Sequence, residues 1–461
     1  MKKIFYCFCC FQLYFLSFAQ KAPNVVYIIS DDQAWMDYGF MGHPHIRTPH
    51  LDKLAKESVL FERGYVPSAL CRPSLVTLAN GRYAHQHGVT GNDPSPKYHQ
   101  GNPALKKKQY HQLISYLTKF DTLPKLLSEQ DYLSFQSGKW WEGSYQHGGF
   151  THGMTKGYPN KGGRHGDAGL KIGRKGMQPI KNFIDQAMND KKPFFLWYGV
   201  FLPHTPHNPP KRILENYLAK DLPLPVAKYY ANCEWFDETC GQLIELLENR
   251  KIRENTLIVY VTDNGWISRT DRTGFALRSK QSPNEGGIRT PILFSWPKGN
   301  LQSGRRSDTI SSIDIFPTVL AATGSRMPEG LPGINLLAHL RGEQTINREG
   351  IFGETFAHDI ADIENPEASL LFRWRIEGKW KLILTYDGET NRYSKVHPRT
   401  DKRPQLFNLL EDPMEENNLA QDNPDIVASL AKKIHHWWSV RARKVITEFI
   451  PSEKNLNSTI D

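Results

Sequence analysis

Cysteine is scarce in this chain and poorly placed for cross-linking: there are six in 461 residues, and Cys7, Cys9 and Cys10 fall within the first ten. The other three, Cys71, Cys233 and Cys240, make no disulfide framework. Cys233 and Cys240 share a helix-like stretch, 226–247, and lie about 10 Å apart along its axis, too far to bridge, so both read as core thiols. Long apolar runs are also missing. Beyond residue 20 none reaches the roughly 18 residues that a membrane span needs, which excludes a membrane partner once a leader is removed. The basic residues are dispersed and never interleave with aromatics in a run, which excludes nucleic acid. Acidic residues are the minority, 48 against 58 Lys and Arg, for a formal net charge of +10 that falls by two once Lys2 and Lys3 are removed. Such a surface favours polyanions and acidic substrates. Internal repeats and low-complexity segments are absent, so a solenoid is excluded.

What is present is enough apolar material, 39% of residues with 11% aromatic, for one large core and a smaller appendage. Residues 1–20 read as an export signal: Lys2 and Lys3, an apolar segment, then Ser17-Phe18-Ala19, with cleavage near Ala19 or Gln20. The mature chain is therefore expected to be periplasmic or secreted. Val25-Val26-Tyr27-Ile28-Ile29 is a buried-strand run ending in Ser30-Asp31-Asp32, and an amphipathic segment behind Thr48-Pro49 leads into Val59-Leu60-Phe61. The same alternation recurs through 122–130 into 132–135, 180–189 into 193–202, and 228–248 into 256–262. It predicts an α/β fold, a mostly parallel sheet flanked by helices. Segments 94–116 and 142–174 show no clean period and read as long loops rimming a pocket. Near Gly342 the pattern changes: 372–377 and 379–386 predict antiparallel strands joined at Gly378, and 424–438 a closing helix. The expected division is a catalytic domain over 21–341 and a C-terminal α+β subdomain over 342–461.

Two features carry chemistry. Cys71-Arg72-Pro73-Ser74, followed by an apolar run and Gly81-Arg82, reads as a loop turning into a helix with Cys71 near its positive end, where an anion is stabilised. Taken alone, a buried structural cysteine is the simpler reading. Asp31-Asp32 and Asp263-Asn264 each end an apolar strand, and ligands of open parallel sheets gather beyond such ends. Three carboxylates and an amide oxygen suit a hard cation, Ca²⁺ or Mg²⁺, although either pair could instead cap the following helix.

Taken in order, the motifs resemble the sulfatase family of the alkaline-phosphatase-like superfamily across nearly the whole mature chain. The matching pieces are Asn24-Val25-Val26 into Asp31-Asp32, Trp35 and Gly39, Thr48-Pro49, the Cys71-Arg72-Pro73-Ser74 turn, Gly81-Arg82-Tyr83 and Gly138-Lys139-Trp140. Pro203-His204-Thr205-Pro206, Thr262-Asp263-Asn264-Gly265, Lys280 ahead of Glu285-Gly286-Gly287, and Leu406-Phe407-Asn408-Leu409 follow. The resemblance implies that a maturation enzyme converts Cys71 to formylglycine, whose hydrate attacks the sulfur of a sulfate ester. It implies a cation on Asp31, Asp32, Asp263 and Asn264 and the residue 71 side chain, sulfate held by Lys139 and Lys280, and His204 protonating the leaving alcohol. Its substrate would be a sulfated carbohydrate.

Two positions depart from the family pattern: Leu75 stands where Arg is usual and Trp141 where His is common. The expected substitute is a basic group within hydrogen-bond reach of residue 71, or one water further, drawn from Arg72, Arg82, His85, His87, His147 and His165, with Arg82 first and a histidine of the 142–174 loop as the fallback. The alternatives are a phosphoester hydrolase of the same superfamily, or an inactive binder of sulfated glycans with Trp35, Trp140, Trp141 or Trp266 as stacking platforms.

Overall fold

The computed structural model describes residues 22–386 and 403–446. The expected export signal lies outside the described residues.

Strand β1 (Asn24–Ser30) alternates between two cores: Val25, Tyr27 and Ile29 enter one, Val26 and Ile28 the other. Because both faces are covered, the strand reads as an unbroken apolar run. The further strands of its sheet are β2 (Val59–Tyr65), β4 (Leu133–Gly138), β5 (His152–Gly153), β6 (Phe194–Gly199), β7 (Thr256–Thr262), β8 (Arg289–Ser295) and β9 (Gly304–Ser311); β3 (Asp93–Pro94) lies apart. The eight strands run in the order β5-β4-β6-β1-β7-β8-β2-β9. All are parallel except β8, which is antiparallel to β7 and β2.

Each alternation expected from the sequence forms. The helices Pro49–Lys56, Leu123–Ser128, Gln178–Asn189 and Leu224–Asn249 precede β2, β4, β6 and β7. Gln178–Asn189 and Leu224–Asn249 cover one face, and Cys71–Asn80, Leu123–Ser128 and Ile315–Thr323 cover the other. Cys233 and Cys240 are buried and free.

One reading is corrected. Segment 94–116 is not a loop but carries the helix Pro103–Ser115, capped by Asn102, whose side chain accepts from Ala104 N (3.0 Å) and Leu105 N (3.2 Å), with Pro103 in the first turn. Its apolar face is narrow, Leu113 and Ile114 against a lysine-rich outer side, and so gives little periodic signal. Segment 142–174 is mostly turns with two short 3₁₀ pieces, as expected.

A second sheet, order β10-β12-β13-β14, is antiparallel: β10 (Gly350–Phe356), β12 (Leu370–Glu377), β13 (Trp380–Thr385) and β14 (Gln405–Asn408). The helix Pro424–Trp437 closes it through Leu430 and Ile434 on Leu382, Leu384 and Leu406. Buried Lys381 ties this sheet to the segment before β8, with Glu285 at 3.1 Å and Glu415 at 2.8 Å, which fixes the chain that bears Lys280. Between the two sheets, β3 pairs with β11 (Asp359–Ile360). No helix among the described residues is long and apolar enough to cross a membrane.

Candidate active site

Four neighbouring strands, β4, β6, β1 and β7, point their carboxyl ends at one place. In β1 and β7, Ser30 is level with Thr262, so Asp31-Asp32 and Asp263-Asn264 leave the sheet side by side. Asp263 N donates to Ser30 O (2.9 Å), and Asp31 N donates to Leu202 O (3.0 Å), bringing in the chain that carries His204 after β6. Asp32 has φ 65°, a left-handed conformation that costs an aspartate roughly 1 kcal/mol. It is held there by its N–H on Asp263 Oδ1 (3.0 Å).

Lys139 follows β4. Gly138 before it has φ 82°, and a Cβ there would lie 1.8 Å from Gly199 O, so only glycine lets β4 turn against β6 and aim Lys139 inward. Its Nζ donates to Asp31 Oδ1 at 2.6 Å. Cys71 is the first residue of the helix Cys71–Asn80, which ends on Gly81 at φ 69°. Lys280 Nζ reaches both oxygens of Asp32 (2.6 and 2.8 Å) and Cys71 Sγ (3.3 Å). His204 Nε2 lies 3.4 Å from Asp32 Oδ2, while Nδ1 donates to Thr205 O (2.6 Å). That leaves Nε2 as the atom able to exchange a proton with a ligand.

The charges are buried and unequal. Three carboxylates face two ammonium groups. Burial pushes Asp31 and Asp263 above the usual carboxylate range despite Lys139. Asp32 suffers the same burial, but Lys280, His204 and Lys139 outweigh it and hold it below that range. Burial also pushes the Cys71 thiol up to about 12. It pushes the His204 imidazole well below its ordinary value, with Lys139 adding to the effect.

The donor set fits a hard cation. Asp31 Oδ2, Asp263 Oδ2 and Asn264 Oδ1 are buried acceptors with no hydrogen-bond donor. Orphaned oxygens at neighbouring strand ends, beside an excess negative charge, are what a divalent ion satisfies. Ligand atoms of Asp31, Asp32, Cys71 and His204 lie within 4.8 Å of one another. Asp263 is not one of that group; its Oδ2 lies 3.8 Å from Lys139 Nζ.

Cys71, Lys139, His204 and Lys280 line one cavity of about 470 Å³ together with Trp141 and Arg164. All eight residues singled out from the sequence therefore meet. For the missing basic group the first choice, Arg82, is corrected, and none of the six named residues hydrogen-bonds Cys71 Sγ directly. Arg82 instead donates to Gly330 O and Glu329 O, on the far side of its helix. His85 is held by Glu354, His147 by Ile114 O, and His87 is buried beside Thr77. Only His165 lines the cavity. Of the four tryptophans, Trp35 sits under Arg289 and Trp140 packs on Phe150 and Trp197, so neither is a platform; Trp141 and Trp266 line the cavity.

Leu75, one turn beyond Cys71, is 4% exposed, packs in the same apolar cluster as Cys71 and Trp141, and does not line the cavity. Sequence reasoning missed how Arg72 is used. Its guanidinium is buried and forked onto Glu142 (Nε to Oε1 2.6 Å, Nη2 to Oε2 2.9 Å), and its Nη1 donates to Asn92 O at 3.1 Å. This joins the residue after Cys71 to the residue after Trp141. Trp141 in turn lies 5.1 Å, ring centroid to Nζ, from Lys139. Glu142→Ala leaves Arg72 buried without its counter-charge and is expected to cost about 3–5 kcal/mol, whereas Arg72→Met with Glu142→Leu is expected to be nearly neutral. Urea unfolding of the two variants checks this. Equal losses would mean that the pair contributes through packing alone.

The family model for sulfatases matches residues 23–325, and that for the C-terminal region of N-sulphoglucosamine sulphohydrolase matches residues 276–439. Human N-acetylgalactosamine-6-sulfatase is 28% identical over 372 residues, covering 72% of this chain and 68% of that protein. An ulvan-active sulfatase of Formosa agariphila is 23% identical over 452 residues, covering 90% of this chain and 80% of that protein. Among solved structures, Ps i-CgsB in complex with k-i-k-neocarrahexaose is similar with a TM-score of 0.70 at 25% identity, covering 93% of this chain and 95% of that one.

Proposed function

The chain belongs to the sulfatase family and is a sulfuric ester hydrolase. From that premise we propose that it removes sulfate from a sulfated carbohydrate, using a nucleophile made from Cys71. The observation that carries the reading is that Cys71, Lys139, Lys280 and His204 line one cavity and hold Asp31 and Asp32, at the strand ends where Asp31, Asp263 and Asn264 keep orphaned oxygens. Burial disfavours the Cys71 thiolate, which makes the unmodified thiol a weak nucleophile in this site. Converted to formylglycine by a maturation enzyme, it supplies the hydroxyl of an aldehyde hydrate, which attacks sulfur as the ester oxygen leaves. Asp31, Asp32, Asp263 and Asn264 would hold Ca²⁺, or Mg²⁺, which would polarise that hydroxyl and a sulfate oxygen.

The remaining work belongs to the chain's own side chains. Lys139 and Lys280 place two cations where charge develops on the sulfate oxygens, inside a buried site where such interactions are strong. His204 Nδ1 keeps its proton on Thr205 O, and the negative charge of a bound sulfate ester favours protonation of Nε2, which then gives that proton to the departing sugar oxygen. Support for a carbohydrate comes from the relatives, one named for ulvan and another for N-acetylgalactosamine 6-sulfate, and from the basic surface. Residues 1–20 support export to the periplasm or medium. The catalytic domain is assigned to 21–341 and the C-terminal subdomain to 342–461.

Mass spectrometry of the Cys71 peptide from the native host is expected to show the aldehyde. Chromatography of free sulfate after incubation with sulfated polysaccharides is expected to show release. An intact thiol in an inactive protein would turn the reading into a binder, and faster cleavage of 4-nitrophenyl phosphate than of 4-nitrophenyl sulfate would turn it into a phosphoester hydrolase.

A further inference from the structure

Between residues 96 and 119 the chain has five lysines and no carboxylate, and Lys106, Lys107 and Lys108 are exposed on the helix Pro103–Ser115. That helix is joined to the cavity by an unbroken line of contacts. Lys106 Nζ lies 5.8 Å from the Tyr110 ring centroid, and Tyr110 OH donates to Asp93 Oδ1 at 2.8 Å. Asp93 also receives Arg164, whose Nε lies 2.9 Å from Oδ1. Arg164 lines the cavity and its guanidinium lies 6.0 Å from the Trp141 ring, the same ring that faces Lys139.

The carboxylates nearby are already engaged. Asp93 is shared by Arg164 and Tyr110, Asp167 accepts from Lys156 N and Gly157 N, and Glu364 accepts from Gln112 Nε2. Of these only Asp93 is paired with a cation, and the three consecutive lysines face solvent with no acidic residue in their own segment. Beside the helix, half-buried Tyr158 stacks on buried Tyr110 with centroids 5.0 Å apart, and exposed His111 lies 5.4 Å from Tyr158. A helix that spreads three cations, unpaired among the described residues, over its exposed side, with the half-buried Tyr158 and exposed His111 beside it, suits a chain of pyranose units that carry repeated sulfate groups.

We propose that Lys106, Lys107 and Lys108, with Arg164, form an extended subsite for further sulfated residues of a polymer whose reacting sulfate sits beside Cys71. The inference rests on the sulfated-carbohydrate reading above and narrows it to a polyanionic chain longer than one sugar. Encounter is then steered along the helix, and affinity depends on ionic strength.

The test compares three full-length proteins in native gels containing dextran sulfate or plain dextran: wild type, Lys106→Glu/Lys107→Glu/Lys108→Glu, and Lys56→Glu/Lys181→Glu/Lys220→Glu. The last carries the same change in net charge on exposed lysines of other segments. Dextran sulfate is expected to retard the wild type and the control triple alike, and the helix triple to bind about tenfold more weakly or worse. Plain dextran should retard none. Equal retardation of all three proteins, or equal loss in the two triples, would overturn the subsite. Circular dichroism and thermal melting establish that each variant is folded. Because retention is read without turnover, it fails or succeeds independently of sulfate release.

Discussion

Cys71→Ala is expected to leave a folded protein that releases no sulfate, a loss on the order of 10⁵ to 10⁶ in kcat, as when a hydrolase loses its nucleophile. The side chain is 1% exposed, so the truncation also leaves a small void. One sulfur atom at the first residue of a ten-residue helix is worth about 1 kcal/mol of packing, a shift of a few degrees at most in so large a chain. The two effects are far apart in size, which makes the experiment decisive. Sulfate release and thermal melting on the same preparation read both. If Cys71→Ala melts far below the wild type while activity per folded molecule survives, the thiol is a structural one and the nucleophile lies elsewhere. Cys71→Ser separates the chemistry further: it keeps an oxygen at the position but leaves no carbonyl to hydrate, and is expected to lose turnover to nearly the same degree.

The second large effect is expected at Asp263. Asp263→Asn keeps an oxygen to accept from Asp32 N and Asn264 N, as Oδ1 does now at 3.0 and 2.7 Å, but removes one of three negative charges from the cation site. Turnover is expected to fall by about 10³ or more, the scale for losing one charged element of an electrostatic site. Stability should move the other way. In EDTA the variant is expected to be at least as stable as the wild type, because burial penalises the Asp263 charge and two other carboxylates crowd it. Adding calcium at about 100 times its dissociation constant should stabilise the wild type by about 2.7 kcal/mol and the variant by much less. Melting with and without calcium reads this independently of activity. An unchanged calcium response in Asp263→Asn would remove Asp263 from the ligand set.

Strand ends were readable from the sequence because a parallel strand buried on both faces cannot hide its composition. Runs such as Val25 to Ile29 and Leu257 to Val261 end abruptly in Asp31-Asp32 and Asp263-Asn264, and sheet geometry places such ends together. The helix that starts at Cys71 was readable for a related reason, since Pro73, the apolar run and Gly81 are local signals that need no partner. The helix Pro103–Ser115 had a legible cap in Asn102-Pro103, but its lysine-rich outer side hid the period.

The direction of side chains on a known element was decided by tertiary structure. Arg82 and Cys71 lie at opposite ends of one short helix, and only the packing of that helix on the sheet sends Arg82 to Gly330 and Glu329 and Leu75 into the core. The Arg72–Glu142 pair spans 70 positions and has no trace in spacing; it exists because β4 and the helix after β2 deliver their loops to the same rim. Residue identity and local period determined which groups are available at the strand ends. Sheet order determined which of them touch, because a hydrogen bond or ion pair between segments depends on register, to which each segment alone is blind.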